Sequence, residues 1–227
     1  MPTVLITGAN RGLGLEFARQ YAADGWRVLA TCRDPSRALA VQGLKGQVEI
    51  LALDVIDSLS IGTLVTSLGT APIDVLLLNA GVHLQKDCTL DELNEERWLL
   101  ELNVNVIAPT ILARRLADNV ARSDLRRIVA SSSGSGSINN MKTGGNYAYR
   151  AGKAALNASM KVLANDLSTR GITVVPIGPG HTRTDMGGAE APYSAEDTVS
   201  RVRGAIARLS FKDSGTFLSR DGAPLPW

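Results

Sequence analysis

Short apolar runs alternate along the chain with longer stretches of helical periodicity, and residues that favour turns lie between them. Val4-Leu5-Ile6 leads through Thr7 into a turn punctuated by Gly8, Gly12 and Gly14, after which Leu15, Phe17, Ala18 and Tyr21 recur at helical spacing. Trp26–Thr31 predicts a second strand and Val48–Leu53 a third, which ends at Asp54-Val55. Ile73–Leu78 is almost wholly apolar, as a central parallel strand covered on both faces should be. From about Glu95 to Ala117 the periodicity is helical, but Trp98, Leu99, Leu102, Val106, Ile107 and Ile111 populate more than one face. That pattern predicts a helix buried all round, with a kink at Pro109. Leu125–Ala130 and Ile172–Ile177 predict the fifth and sixth strands, and Thr216–Leu218 a seventh at the edge. Between the fifth and sixth, Leu156, Met160, Leu163 and Leu167 share a helix face with Tyr149 and Lys153 and should pack on the sheet. Ser194–Leu209 returns as a helix. The alternation predicts an α/β fold, a doubly wound, seven-stranded, mostly parallel sheet with helices on both faces, in one domain over 1–227.

Composition narrows the function classes. A length of 227 residues with 44% hydrophobic side chains fills one sizeable core. A net charge of +2, with basic residues scattered, argues against nucleic acid as a partner, and Arg126-Arg127 reads as a solvated pair at the start of a strand. Two cysteines, Cys32 and Cys88, make no disulfide framework, and Cys32 reads as small and apolar. Neither two lone histidines nor any other pattern suggests a metal site. No charged leader with an apolar segment precedes Val4, and no apolar run reaches the roughly 18 residues of a membrane span. The expectation is a reducing, cytoplasmic setting with no membrane partner.

The glycine turn carries the first candidate chemistry. Without Cβ atoms, its backbone N–H groups and the following helix N-terminus can touch a pyrophosphate, whose charge the helix dipole favours. About 20 residues on, such a fold places its ribose reader: an acidic residue for a free 2′-OH or an arginine for a 2′-phosphate. Asp34 followed by Pro35 reads as a helix cap, which leaves Arg33 as the reader, with Arg11 in the turn as a second cation. NADP(H) is therefore expected rather than NAD(H).

The spacing T-G-x-x-x-G-x-G over Thr7 to Gly14 departs from the usual G-x-G-x-x-G and resembles the glycine motif of the short-chain dehydrogenase/reductase family. Further motifs extend the resemblance over essentially the whole chain: Asn79-Ala80-Gly81, a strand opening into Ser131-Ser132-Ser133, Tyr149 and Lys153 four apart on one helix face, and Pro179-Gly180 followed by Thr184. The resemblance implies a Rossmann-type fold. It also implies cofactor contacts from Thr7, Gly8, Asn10, Arg11, Gly12, Leu13 and Gly14, and from Asp54 and Val55 near the adenine. The bracing Asn79, Ala80 and Gly81 would lie beneath the cofactor, and Pro179, Gly180, Thr182 and Thr184 on its nicotinamide side. Asp54 reads equally as a cap on the helix near Ser58.

The family's catalytic tetrad falls on Asn105, Ser133, Tyr149 and Lys153. Asn103 competes with Asn105, which the following Ala108 favours, and Ser132 competes with Ser133, whose interval to Tyr149 is longer than is commonest. The resemblance implies hydride transfer between the nicotinamide and a carbonyl or secondary alcohol. In reduction Tyr149 protonates the oxygen, Ser133 polarises it, Lys153 holds the ribose and favours tyrosinate, and Asn105 positions a relay water. Tyrosine's pKa must fall by roughly 3 units, about 4 kcal/mol, to work near neutrality; a lysine about 5 Å away gives roughly 3 kcal/mol, nearly enough, and the oxidised nicotinamide adds the rest.

The segment Tyr147–Asn157 and the tail from Gly215 further resemble the subgroup of bacterial C-factor and sniffer-type carbonyl reductases, whose rival implication is a signalling or regulatory dinucleotide-binding protein with little turnover. Residues 185–195 read as a short substrate loop. His83 either faces the substrate or is an ordinary loop histidine. Ala151, Ala155, Ala158 and Val162, opposite the sheet-facing stripe of their helix, let a second helix approach closely and predict a homodimer or homotetramer.

Overall fold

In the computed structural model, which describes residues 1–227, every predicted strand is present within about two residues of its expected bounds, and all run parallel. They are β1 (Thr3–Thr7), β2 (Arg27–Cys32), β3 (Val48–Ala52), β4 (Val75–Leu78), β5 (Arg127–Ser131), β6 (Thr173–Gly178) and β7 (Leu218–Ser219). Across the sheet the order is β3-β2-β1-β4-β5-β6-β7. The reversal between β1 and β4 opens a crevice at their carboxyl ends, where ligands bind in sheets of this kind. Leu5 pairs with Leu29 of β2 on one side and Leu76 of β4 on the other, so the central strands interlock through apolar rungs.

Each face of the sheet has its own core. Leu5, Leu76 and Ile128 point toward α3 (Ser58–Leu68), α5 (Ala108–Ala121) and α6 (Tyr147–Asp166), meeting Leu64, Leu116 and Met160. Val4, Ile6 and Val75 point the other way, toward α1 (Gly12–Ala23), α2 (Leu39–Gln42) and α7 (Ala195–Arg208), meeting Phe17, Val41 and Ile206. Alternate residues of one strand are thus all buried, which is why these strands read as unbroken apolar runs rather than an alternation. Each such leucine or valine contributes about 1.5–3 kcal/mol by burial. No helix is long and apolar enough to cross a membrane.

Three expectations are corrected. The helix from Glu95 is not continuous: α4 (Glu95–Leu102) passes through a π-helical turn, Asn103–Ile107, before α5. Pro109 has no N–H to give the carbonyl of Asn105 four residues back, so the ladder widens before the proline instead of kinking at it. Nor is this helix buried all round, since Leu99 is 58% and Ile107 55% exposed, leaving an apolar outer face. Arg127 is not merely solvated: it donates to the Leu209 carbonyl at 2.9 Å, and burial pushes its pKa down.

Candidate active site

The cofactor cradle is built from backbone. Gly8 and Gly12 adopt φ +68° and +54°, a region costly for other residues. Gly14 is required for a different reason: a Cβ there would lie 2.1 Å from the Gly8 carbonyl oxygen and 2.7 Å from the Asn79 amide nitrogen. No side chain caps α1, so its first N–H groups are free for an anion. Leu13 is half-buried beside exposed Asn10 and Arg11. Behind the turn, the Thr7 hydroxyl accepts from the backbone N–H groups of Asn79 and Ala80, both at 2.9 Å, and the Asn79 amide donates to the Thr7 carbonyl at 3.1 Å. Asn79 and Ala80 therefore lock β4 to the turn, the bracing expected of them. A glycine cradle under an uncapped helix N-terminus fits a dinucleotide pyrophosphate.

At the end of β2, Asp34 caps the turn Pro35–Arg37 by accepting from the Ser36 N–H at 3.0 Å, as its neighbour Pro35 predicts. That bond and the Ser36 hydroxyl hold its carboxyl below the usual range. Arg33 is exposed and takes part in none of the chain's ion pairs. Arg11, expected as a second cation near the reader, is exposed and reaches Asp185 of the loop after β6 at 3.2 Å. Asp57, not Asp54, caps α3. Asp54 accepts from the Ile56 N–H in its own turn and stays half-buried beside Val55.

Four side chains of the expected tetrad converge at the carboxyl ends of β4 and β5. Ser132 is buried and donates to Asn157 at 2.6 Å, so it belongs to the packing of α6, whereas Ser133 faces Tyr149. Lys153, four residues along α6, donates to the Ser131 carbonyl at 2.8 Å, its Nζ 5.7 Å from the Tyr149 ring centre. Asn105 sits in the π turn with its side chain bracketing Val82, accepting from its N–H at 2.9 Å and donating to its carbonyl at 2.8 Å. Asn103, the competitor, opens the same π turn and is only half-buried.

The electrostatics differ from expectation. Burial pushes Lys153 down to about 8, opposed by the Glu101 charge. Burial also pushes Tyr149 up, the Ser133 hydroxyl pulls it back, and Glu101 adds to the rise. Without a bound nicotinamide, desolvation of the tyrosinate is the largest influence on Tyr149. One participant escaped the sequence reading. Glu101 is fully buried, and its Oε1 accepts from the N–H groups of Leu84 and Gln85 at 2.5 and 3.0 Å. Its one available signal was a carboxylate one helical turn before Asn105 in an otherwise apolar stretch. His83, open in the sequence between a substrate-facing and an ordinary loop histidine, stacks on the Tyr149 ring, centroids 4.3 Å apart.

After β6, Gly180 adopts φ +83° and lies against Tyr193, itself under Arg220. The Thr184 hydroxyl accepts from Gly187 N–H at 3.1 Å, and the Thr184 side chain lies 3.7 Å from where a Gly12 Cβ would be, so this loop meets the glycine turn. Thr182 is buried with its hydroxyl on Thr198 at 3.0 Å, so its backbone is the part left to face a cofactor. Pro179 follows directly on β6.

Comparison with known proteins shows the family. The short chain dehydrogenase profile matches residues 2–193. The C-signal protein of Myxococcus xanthus is 33% identical over 162 residues, 71% of this chain and 97% of its own. The carbonyl reductase Sniffer of D. melanogaster superposes with a TM-score of 0.93 at 31% identity, all of both chains covered. An NADPH-bound carbonyl reductase from chicken fatty liver gives a TM-score of 0.91 at 31% identity, covering 100% of this chain and 99% of that one.

Proposed function

Since this chain belongs to the short-chain dehydrogenase family of oxidoreductases, we propose that it is an NADP(H)-dependent carbonyl reductase working through Tyr149, Lys153, Ser133 and Asn105. The observation that carries this reading is the pairing of a half-buried tyrosine, protonated at neutral pH, with a buried lysine that stays charged below about 8, beside a glycine cradle. A protonated Tyr149 is a proton donor, which suits reduction. Ser133 donates to the same carbonyl oxygen, and once the proton has left Tyr149 the Lys153 charge stabilises the tyrosinate. Asn105 holds the loop after β4 and so fixes one wall of the site. The nicotinamide, when bound, supplies the hydride. Thr7, Gly8, Asn10, Leu13, Gly14, Asp54, Val55 and Gly81 would line its adenosine and pyrophosphate, and Pro179, Gly180 and Thr184 the other end.

Exposed Arg33, with Asp34 committed to its cap, supports NADP(H) over NAD(H). The test is consumption of NADPH against aldehydes, ketones and quinones, with Kd for both reduced cofactors. Turnover with at least one carbonyl and tighter NADPH binding is expected. The likeness to C-signal favours a second reading, a regulatory dinucleotide-binding protein, and NADPH binding without turnover on any carbonyl would select it.

The assembly we propose is a homodimer or homotetramer through the outer faces of α4, α5 and α6. Ala151, Ala158 and Val162 are exposed there, as are Leu99 and Ile107. Light scattering at micromolar concentration should give twice or four times the 24.0 kDa chain mass, and a monomeric mass contradicts it.

A further inference from the structure

The loop that follows β4 is held from beneath by one face of the α4–π segment. Asn105 brackets Val82, and Glu101, one turn earlier, takes the N–H groups of Leu84 and Gln85. Between those anchors stands His83. Its ring lies against Tyr149, where it stacks with an interplanar angle of 23°. Its Nε2 lies 3.1 Å from Asn146 Oδ1. The same Oδ1 accepts from the Asp87 N–H at 3.3 Å, and since a backbone N–H can only donate, that amide oxygen is an acceptor and His83 Nε2 must carry the proton. In the neutral ring Nδ1 is then a bare acceptor. It has no partner within the chain and is not among the buried unpaired atoms, so it is open to a partner from outside the chain.

We infer that His83 is a specificity residue of the proposed reductase, accepting through Nδ1 a hydrogen bond from a substrate that carries a hydroxyl beside its carbonyl, an α- or β-hydroxycarbonyl compound. The inference rests on the carbonyl reductase reading for its chemistry. With ring centroids 4.3 Å apart, Nδ1 and the Tyr149 hydroxyl are close enough for one short molecule to span them, its carbonyl oxygen on Tyr149 and its hydroxyl on His83. A site built to accept such a hydroxyl discriminates against the analogue lacking it, because the acceptor is then left unpaired. The charged groups around the imidazole are Glu101 from α4 and Lys86 and Asp87 from the loop, and Tyr149 is the titratable group stacked on it. Burial pushes its pKa down, with Glu101 opposing, which keeps it neutral at pH 7. Acidification that charges the ring turns Nδ1 into a donor and should abolish the preference.

Two measurements test this. The first is kcat/KM for hydroxyacetone against butanone, its near isostere. Wild type should prefer hydroxyacetone by about tenfold or more, and in His83→Phe, which keeps an aromatic ring on Tyr149, the ratio should fall toward one. An unchanged ratio in the variant, or none in wild type, overturns the inference. The second uses the wild type alone, which has only two histidines, His83 and His181. Nitrogen NMR at pH 7 with NADP+ present, so that no turnover occurs, should show the Nε2–H tautomer of His83, with the Nδ1 resonance moving upfield on addition of hydroxyacetone but not butanone. A Nδ1–H tautomer, or an unmoved resonance, overturns it. If neither ketone is reduced by wild type while the nitrogen shift is seen, turnover fails as a reading and the binding role of His83 stands.

Discussion

The two halves of the site are made of different materials. Around β1 and β2 the cradle is backbone and exposed charge: glycines in conformations other residues avoid, an open helix N-terminus, and Arg11 and Arg33 in solvent. Around β4 and β5 it is buried side chains, with Lys153, Glu101 and Asn105 all under 10% exposed and each tied to backbone 16 to 23 residues away. Exposed charges are screened and act nearly independently, so cofactor choice can be altered one residue at a time. Buried charges shift each other's pKa values, so the catalytic half responds as a unit.

Three substitutions probe that contrast. The largest effect is expected where the cradle admits no atoms. Gly14→Ala forces a Cβ against the Gly8 carbonyl, and should lower stability by about 1–3 kcal/mol and abolish detectable cofactor binding, seen by thermal melting and cofactor titration.

Lys153→Met comes next. Its folded pKa of about 8 lies below the ordinary lysine value, so between the two the unfolded chain holds a proton that the folded chain lacks, and raising the pH through that window favours folding. Removing the charge should therefore raise stability by about 3 kcal/mol at pH 7 while destroying activity, and the gain should shrink as the pH approaches 10. Equal melting temperatures at pH 7 would argue against a charged, buried Lys153.

Arg33→Asp should be silent in stability, as befits an exposed side chain, yet reverse cofactor preference by about a hundredfold. Equal affinities for NADPH and NADH in wild type, or no shift toward NADH in the variant, would remove Arg33 from its role.

The same contrast explains what the sequence made legible. The glycine turn, Asp34 as a cap and the strand runs were readable because φ > 0, capping and burial on both faces are local demands that leave a local signature. Choosing Ser133 over Ser132 follows from the bond of Ser132 to Asn157, a contact across 25 residues that spacing alone does not reveal. Glu101 hid inside a stretch whose apolar character pointed to uniform burial, and its importance comes from the Leu84 and Gln85 N–H groups it meets in space. The pKa of Tyr149 could not be set from its separation from Lys153, because the sign was decided by desolvation. Likewise the π turn reflects a missing N–H at Pro109 acting four residues upstream, so the residue at fault is not where the helix changes.

The most direct measurement is NADPH oxidation by wild type and Tyr149→Phe, side by side, on a carbonyl that wild type reduces, with NADPH affinity determined for both. The account predicts a fall in turnover of at least about a hundredfold with Kd for NADPH retained, since the ring still packs and only the proton donor is gone. Undiminished turnover in Tyr149→Phe would contradict it.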